Sequence, residues 1–97
     1  MLVLKTLSIE PLHGYGIAQH IKKVSAEILK IEEGSLYPAL QRLLLKGLVT
    51  AEWRKSELNR RARVYRLTAA GKKQLGEEEA GFLQQFDAIR RVLRSGS

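Results

Sequence analysis

The chain has 97 residues, with 17 Lys and Arg against 10 Asp and Glu and a formal net charge of +7; that length suits one hydrophobic core and excludes a multidomain enzyme. With 44% hydrophobic and 28% charged residues it has the composition of a folded globular chain, and its positive excess favours a polyanionic partner, nucleic acid foremost. Cysteine is absent, which excludes disulfides, thiolate metal centres and Cys nucleophiles, and no apolar run reaches the roughly 18 residues of a membrane span, so a soluble, cytoplasmic protein without membrane association is expected.

The apolar side chains of Val3, Leu4 and Leu7 have helical spacing, and Pro11 forces the preceding residue out of the α region, so a first short helix should end near Ile9. Leu12-His13-Gly14-Tyr15-Gly16 has the composition of a turn. Ile17, Ala18, Ile21 and Val24 then recur on one face of a second amphipathic helix, roughly residues 15–25. Ile28-Leu29-Lys30-Ile31 is β-prone and predicts a brief edge strand.

A third helix is predicted from about Ser35, with Ser35 as N-cap and Pro38 in the first turn, where its missing N–H costs nothing. Its apolar stripe is Leu36, Leu40, Leu43 and Leu44, its outer face carries Tyr37, Pro38, Gln41 and Arg42, and Gly47 is the left-handed stop. Residues 48–55 and 63–67 favour strands and predict a hairpin, with Trp53, Tyr65 and Leu67 expected to help cover the core. Five of the seven net positive charges fall between Arg54 and Arg66, where Glu57 is the lone acid.

Thr68 can cap a last helix running to residue 94, about 40 Å long at 1.5 Å per residue and longer than the small body before it. Leu75, Phe82, Phe86, Ile89 and Leu93 form a heptad-like seam along it, which predicts dimerisation, with Leu4 and Leu7 of the first helix contributing. The division expected is 1–67 for a nucleic-acid-binding domain and 68–97 for a dimerisation helix and tail. The fold class expected is mainly α with a small β-hairpin, in the order helix, helix, short strand, helix, hairpin that defines the winged helix-turn-helix.

Three stretches carry a more specific signal: Leu12-His13-Gly14-Tyr15-Gly16-Ile17; Glu33-Gly34-Ser35-Leu36-Tyr37-Pro38-Ala39-Leu40 followed by Arg42, Leu43 and Gly47; and Asn59-Arg60-Arg61-Ala62-Arg63 leading to Tyr65-Arg66-Leu67-Thr68 and Gly71. In this order and spacing, over roughly residues 2–75, the chain resembles the PadR-like transcriptional regulators. The single predicted C-terminal helix resembles the family's short subgroup, while Leu44-Leu45 stands where polar residues are usual. The resemblance implies a winged-helix DNA-binding domain with a dimerising C-terminal helix, acting as a repressor in bacterial cytoplasm on a pseudo-palindromic operator in double-stranded DNA. It also implies a small aromatic or hydrophobic effector at the dimer interface, to which Trp53, Phe82 or Phe86 could contribute; the competing reading of these residues is core, and no ligand is assigned to them.

The candidate DNA-binding residues are Tyr15, Ser35, Tyr37, Pro38, Gln41 and Arg42, with Asn59, Arg60 and Arg61 at the wing. Gln pairs naturally with adenine, and Arg with guanine or phosphate. Tyr37 points about 100° from Leu36 and so away from the buried stripe; Arg42 has the competing reading of a solvated or ion-paired residue. The two glycines of His13-Gly14-Tyr15-Gly16 lack the third glycine and the preceding strand of a dinucleotide loop. His13 and His20, without cysteine, make a poor zinc site and no catalytic dyad, so neither metal, cofactor nor enzymatic activity is expected. The competing functional reading is a winged-helix module that binds protein or RNA through the same basic face without operator specificity.

Overall fold

The computed structural model describes residues 1–55 and 61–96. In chain order the elements are α1 (Leu2–Ile9), β1 (Leu12–His13), α2 (Gly14–Val24), α3 (Glu33–Leu45), β2 (Val49–Lys55), β3 (Arg61–Leu67) and α4 (Ala69–Arg94). The strands form an antiparallel sheet in the order β1-β3-β2, with Leu12 opposite Tyr65 and Val49 opposite Leu67. Leu4 and Leu7 of α1, Ile17 and Ile21 of α2, Leu36 and Leu40 of α3, Val49, Tyr65 and Leu75 make one core; the periodicities of α2 and α3 predict their members, whereas Leu75, expected in the dimer seam, is buried here instead.

The short third strand is not where the β-prone run suggested. Residues 28–31 form no strand: after α2, Ala26 and Glu27 adopt left-handed backbone (φ 53° and 66°). The amides of Ile28 and Leu29 are then taken up by Ser25, through its carbonyl at 3.1 Å and its hydroxyl at 3.0 Å. Leu12 and His13 pair with β3 instead, because Glu10 is extended (φ −160°, ψ 156°) and Pro11 keeps it so. The strand therefore precedes the second helix rather than following it.

Two further expectations change on α3. The helix begins at Glu33 with Glu32 as its cap residue, and the Ser35 and Leu36 amides both donate to the Glu32 carbonyl at 3.0 Å. Ser35 is thus inside the first turn, with its own amide in the helical ladder, and cannot be the N-cap. Pro38 falls one turn later than expected and leaves the Gly34 carbonyl without its i+4 donor; Gly34 is exposed, so water can satisfy it. Gly47 is left-handed at φ 73° and ends this segment as predicted.

The N-terminus of α4 is locked onto the turn between α3 and β2. The Thr68 hydroxyl donates towards the Gly47 and Leu48 carbonyls at 2.8 and 2.9 Å and accepts from the Gly71 amide at 3.0 Å. Gly71 lies so close to this turn that a Cβ there would stand 2.1 Å from the Leu48 carbonyl oxygen, which only glycine allows. Gln74 donates to Glu78 at 3.0 Å, and this bond, with the Met1 ammonium, holds the Glu78 carboxyl below the usual carboxylate range. Beyond the last contacts with α1 the helix runs free: residues 80–96 are all exposed, and the described residues span 60 Å along one axis against 29 and 22 Å.

Candidate nucleic-acid interface

The candidate residues gather at the start of α2 and along the outer side of α3. His13 is the N-cap of α2, its Nδ1 accepting from the Gly16 amide at 2.9 Å, which satisfies one of the donors that a helix start leaves open. The His13 ring stacks on Tyr15, with centroids 6.3 Å apart. Gly14 is buried because the Tyr37 ring of α3 covers it; a Cβ at 14 would lie 2.9 Å from Tyr37 Cε1. The glycine that follows the cap is thus a seat for an aromatic ring of the next helix.

Seated on one edge, Tyr37 remains half exposed, and Tyr15 is more exposed still. Ser35, Pro38, Gln41 and Arg42 are exposed on the same helix, and the spacings 37 to 41 and 38 to 42 stack them in two adjacent rows on one side. Leu36 and Leu40, at 1% and 0% exposure, tie the opposite side to the core. Arg42 makes no ion pair among the described residues, so the competing reading of an internal ion pair has no support there. An exposed tyrosine, an amide and a guanidinium on a rigid helix, with no carboxylate among them, match donors and acceptors to base edges and phosphate.

The second part is the hairpin β2–β3. Asn59 and Arg60, expected at its tip, lie outside the described residues; Arg61 is the first residue of β3 and is exposed. Trp53, expected to cover the core, is instead 61% exposed. It shares a face with Val49 and Ala51, but the helical layer ends before it, and the Arg61 guanidinium lies 5.7 Å from its ring centroid. On the other face Arg54 is paired with Glu52.

The expected dimer residues divide. Leu4 and Leu7 are 1% and 4% exposed in the protomer's own core and have no surface left for a partner, which corrects their assignment to a dimer face. Phe82, Phe86, Ile89 and Leu93 are exposed along the free half of α4, with the two phenylalanine rings stacked at 6.2 Å. An apolar cleft of about 240 Å³ between α1 and α4 is lined by Leu2, Phe82 and Leu83. Among the described residues no group of His, Asp and Glu could hold a metal ion, and no helix is long and apolar enough to cross a membrane.

Sequence reasoning missed the seat at Gly14, the His13 cap and the exposure of Trp53. The cap had a signal, a short polar acceptor three residues before the Gly16 amide; the other two are contacts between distant segments and had none.

Comparison with known proteins places this architecture. Residues 3–77 match the family model of the transcriptional regulator PadR-like family. The structure is similar to that of a transcriptional regulator from Clostridium thermocellum, at 25% identity and a TM-score of 0.87, covering 96% of this chain and 90% of that one. It is also similar to Bacillus subtilis PadR in complex with operator DNA, at 25% identity and a TM-score of 0.70, over 78% of this chain and 42% of that one. A curated relative, an uncharacterized 37.1 kDa protein in transposon TN4556 of Streptomyces fradiae, is 45% identical over 78 residues, which are 80% of this chain and 21% of that protein. The chain thus spans about a fifth of that relative's length.

Proposed function

The chain belongs to the PadR-like family of transcriptional regulators, and from that premise we propose that it is a homodimeric repressor that binds a pseudo-palindromic operator. The observation that carries this reading is the exposed row of Tyr37, Pro38, Gln41 and Arg42 on a helix anchored by Leu36 and Leu40, beside the basic hairpin. Its similarity in structure to a PadR protein in complex with operator DNA supports the same reading.

In this mechanism residues 1–67 bind DNA and residues 68–97 dimerise. Tyr37, Gln41 and Arg42 of α3 face the major groove, Ser35 and the α2 turn with Tyr15 position the backbone, and Asn59, Arg60 and Arg61 of the wing hold phosphates or enter the minor groove. The exposed Phe82, Phe86, Ile89 and Leu93 meet their equivalents in a second copy, and the resulting two-fold places two recognition helices about one DNA turn apart. A small aromatic or hydrophobic effector in the apolar space beside Phe82 would alter that spacing. The protein is a cytoplasmic regulator and not an enzyme in this reading.

The deciding experiment is fluorescence anisotropy with duplex DNA from immediately upstream of the protein's own coding region and a scrambled duplex, at two salt concentrations. A preference of about 10³ or more for the upstream duplex is the expected result. Equal affinities that fall steeply with salt would leave only a basic surface and favour the protein- or RNA-binding module.

A further inference from the structure

On the hairpin, directly opposed residues share a face, and the register pairs Val49 with Leu67, Ala51 with Tyr65, Trp53 with Arg63 and Lys55 with Arg61. The face that begins as core at Val49 and Tyr65 therefore continues outward, past the end of the helical layer, as Trp53, Arg63, Lys55 and Arg61. None of these three cations has a carboxylate partner among the described residues, whereas Arg54 on the opposite face is neutralised by Glu52. The Lys55–Arg61 pair sets like charges directly across the strands, an arrangement that costs stability in the free protein and is relieved when a polyanion lies against it.

The geometry points to Trp53 as a positioning residue of the DNA-binding surface: its indole holds the Arg61 guanidinium on the inner face of the wing for a backbone phosphate. Arg61 is the diagonal neighbour of Trp53 across the strands, within reach of long side chains. A guanidinium 5.7 Å from the ring centroid is within range of a cation–π contact. A guanidinium stacked flat on an indole keeps the N–H donors around its edge free for phosphate oxygens. The indole thus lowers the number of conformations that Arg61 must give up on binding without using any of its donors. The same arrangement accounts for an exposed tryptophan at the charged end of its strand, beside Glu52, Arg54 and Lys55. This inference rests on the DNA-binding reading above.

The test is anisotropy of the upstream and scrambled duplexes across a salt series, for wild type, Trp53→Phe, Trp53→Leu, Arg61→Ala and the Trp53→Leu/Arg61→Ala double variant. Trp53→Leu is expected to weaken both duplexes alike, about 3- to 10-fold at low salt, and to lower the slope of log affinity against log salt by up to about one. Trp53→Phe should recover part of the loss, and the double variant should bind no more weakly than Arg61→Ala alone. Trp53 is the sole tryptophan, so its emission reports on the contact, and acrylamide quenching should fall on adding duplex. Wild-type affinity and slope in Trp53→Leu, or additive losses in the double variant, would overturn the positioning role. If the wild type binds both duplexes equally while the Trp53 effects persist, the operator reading fails and the phosphate contact stands. A wild type that binds neither duplex overturns both.

Discussion

The ring of Tyr37 rests on the α-carbon of Gly14, with no room between them for a methyl group. One contact therefore joins the first turn of α2 to the exposed side of α3, and it fixes where the half-exposed tyrosine stands relative to its neighbours Gln41 and Arg42. Gly14→Ala is expected to push the ring outward. The ring can move because it is half exposed, so the stability change should stay within about 1 kcal/mol, the gain in helix propensity offsetting the lost contact. Operator affinity should fall several-fold. Thermal melts read beside anisotropy separate the two effects, and an unchanged affinity would show that the position of Tyr37 is irrelevant to binding.

Gly71 is the opposite case, because the atom it approaches is backbone. Gly71→Ala would bring a methyl group against the Leu48 carbonyl and the Leu67 side chain, and the carbonyl cannot move without shifting the turn hydrogen-bonded to Thr68. A loss of about 3 kcal/mol or more is expected by denaturant unfolding, at the upper end of overpacking costs. A loss below about 1 kcal/mol would mean that α4 can slide on its seat.

The His13 cap separates acceptor chemistry from ring chemistry. His13→Ala should cost about 1 kcal/mol through the lost bond to the Gly16 amide, and His13→Asp should restore most of it, since Asp is a good N-cap. Tyr15 loses its stacking neighbour in both variants, so DNA affinity that follows the alanine but not the aspartate variant would assign the effect to the cap. Equal stability of all three proteins in urea would remove the cap from the account.

For the free half of α4, Phe86→Glu is expected to leave folding intact, because the side chain is exposed in the protomer, and to move the protein from dimer to monomer in sedimentation velocity. Operator affinity should drop by an order of magnitude or more as the two half-sites become independent. A dimer that survives this substitution would place the interface elsewhere.

The two halves of the DNA surface should respond differently. Gln41→Ala is expected to change base preference at one position of each half-site, by about 1–3 kcal/mol of discrimination. Neutralising Arg60 and Arg61 together should weaken all sequences alike and flatten the salt dependence. Selection from a randomised duplex pool followed by sequencing measures the first and a salt titration the second; an unchanged slope in the double variant would sink the wing assignment.

Helix periodicity was legible from the chain alone because it is local: the spacing of Leu36 and Leu40, or of Ile17 and Ile21, already states which side is buried, and the remaining side of α3 then displays Tyr37, Gln41 and Arg42. Caps and stops that act within one turn, Thr68 and Gly47, were legible for the same reason. Three features were decided only by the tertiary structure. Leu12 and His13 became a strand, and Ile28–Ile31 did not, because pairing depends on which segment lies beside β3 and not on β-propensity. Trp53 is exposed because the helical layer ends before it, a distance along the hairpin that alternation cannot encode. Leu4 and Leu7 belong to the protomer's core, whereas the seam of Phe82 and Phe86 stays open, because α4 extends past the body that α1 helps to build.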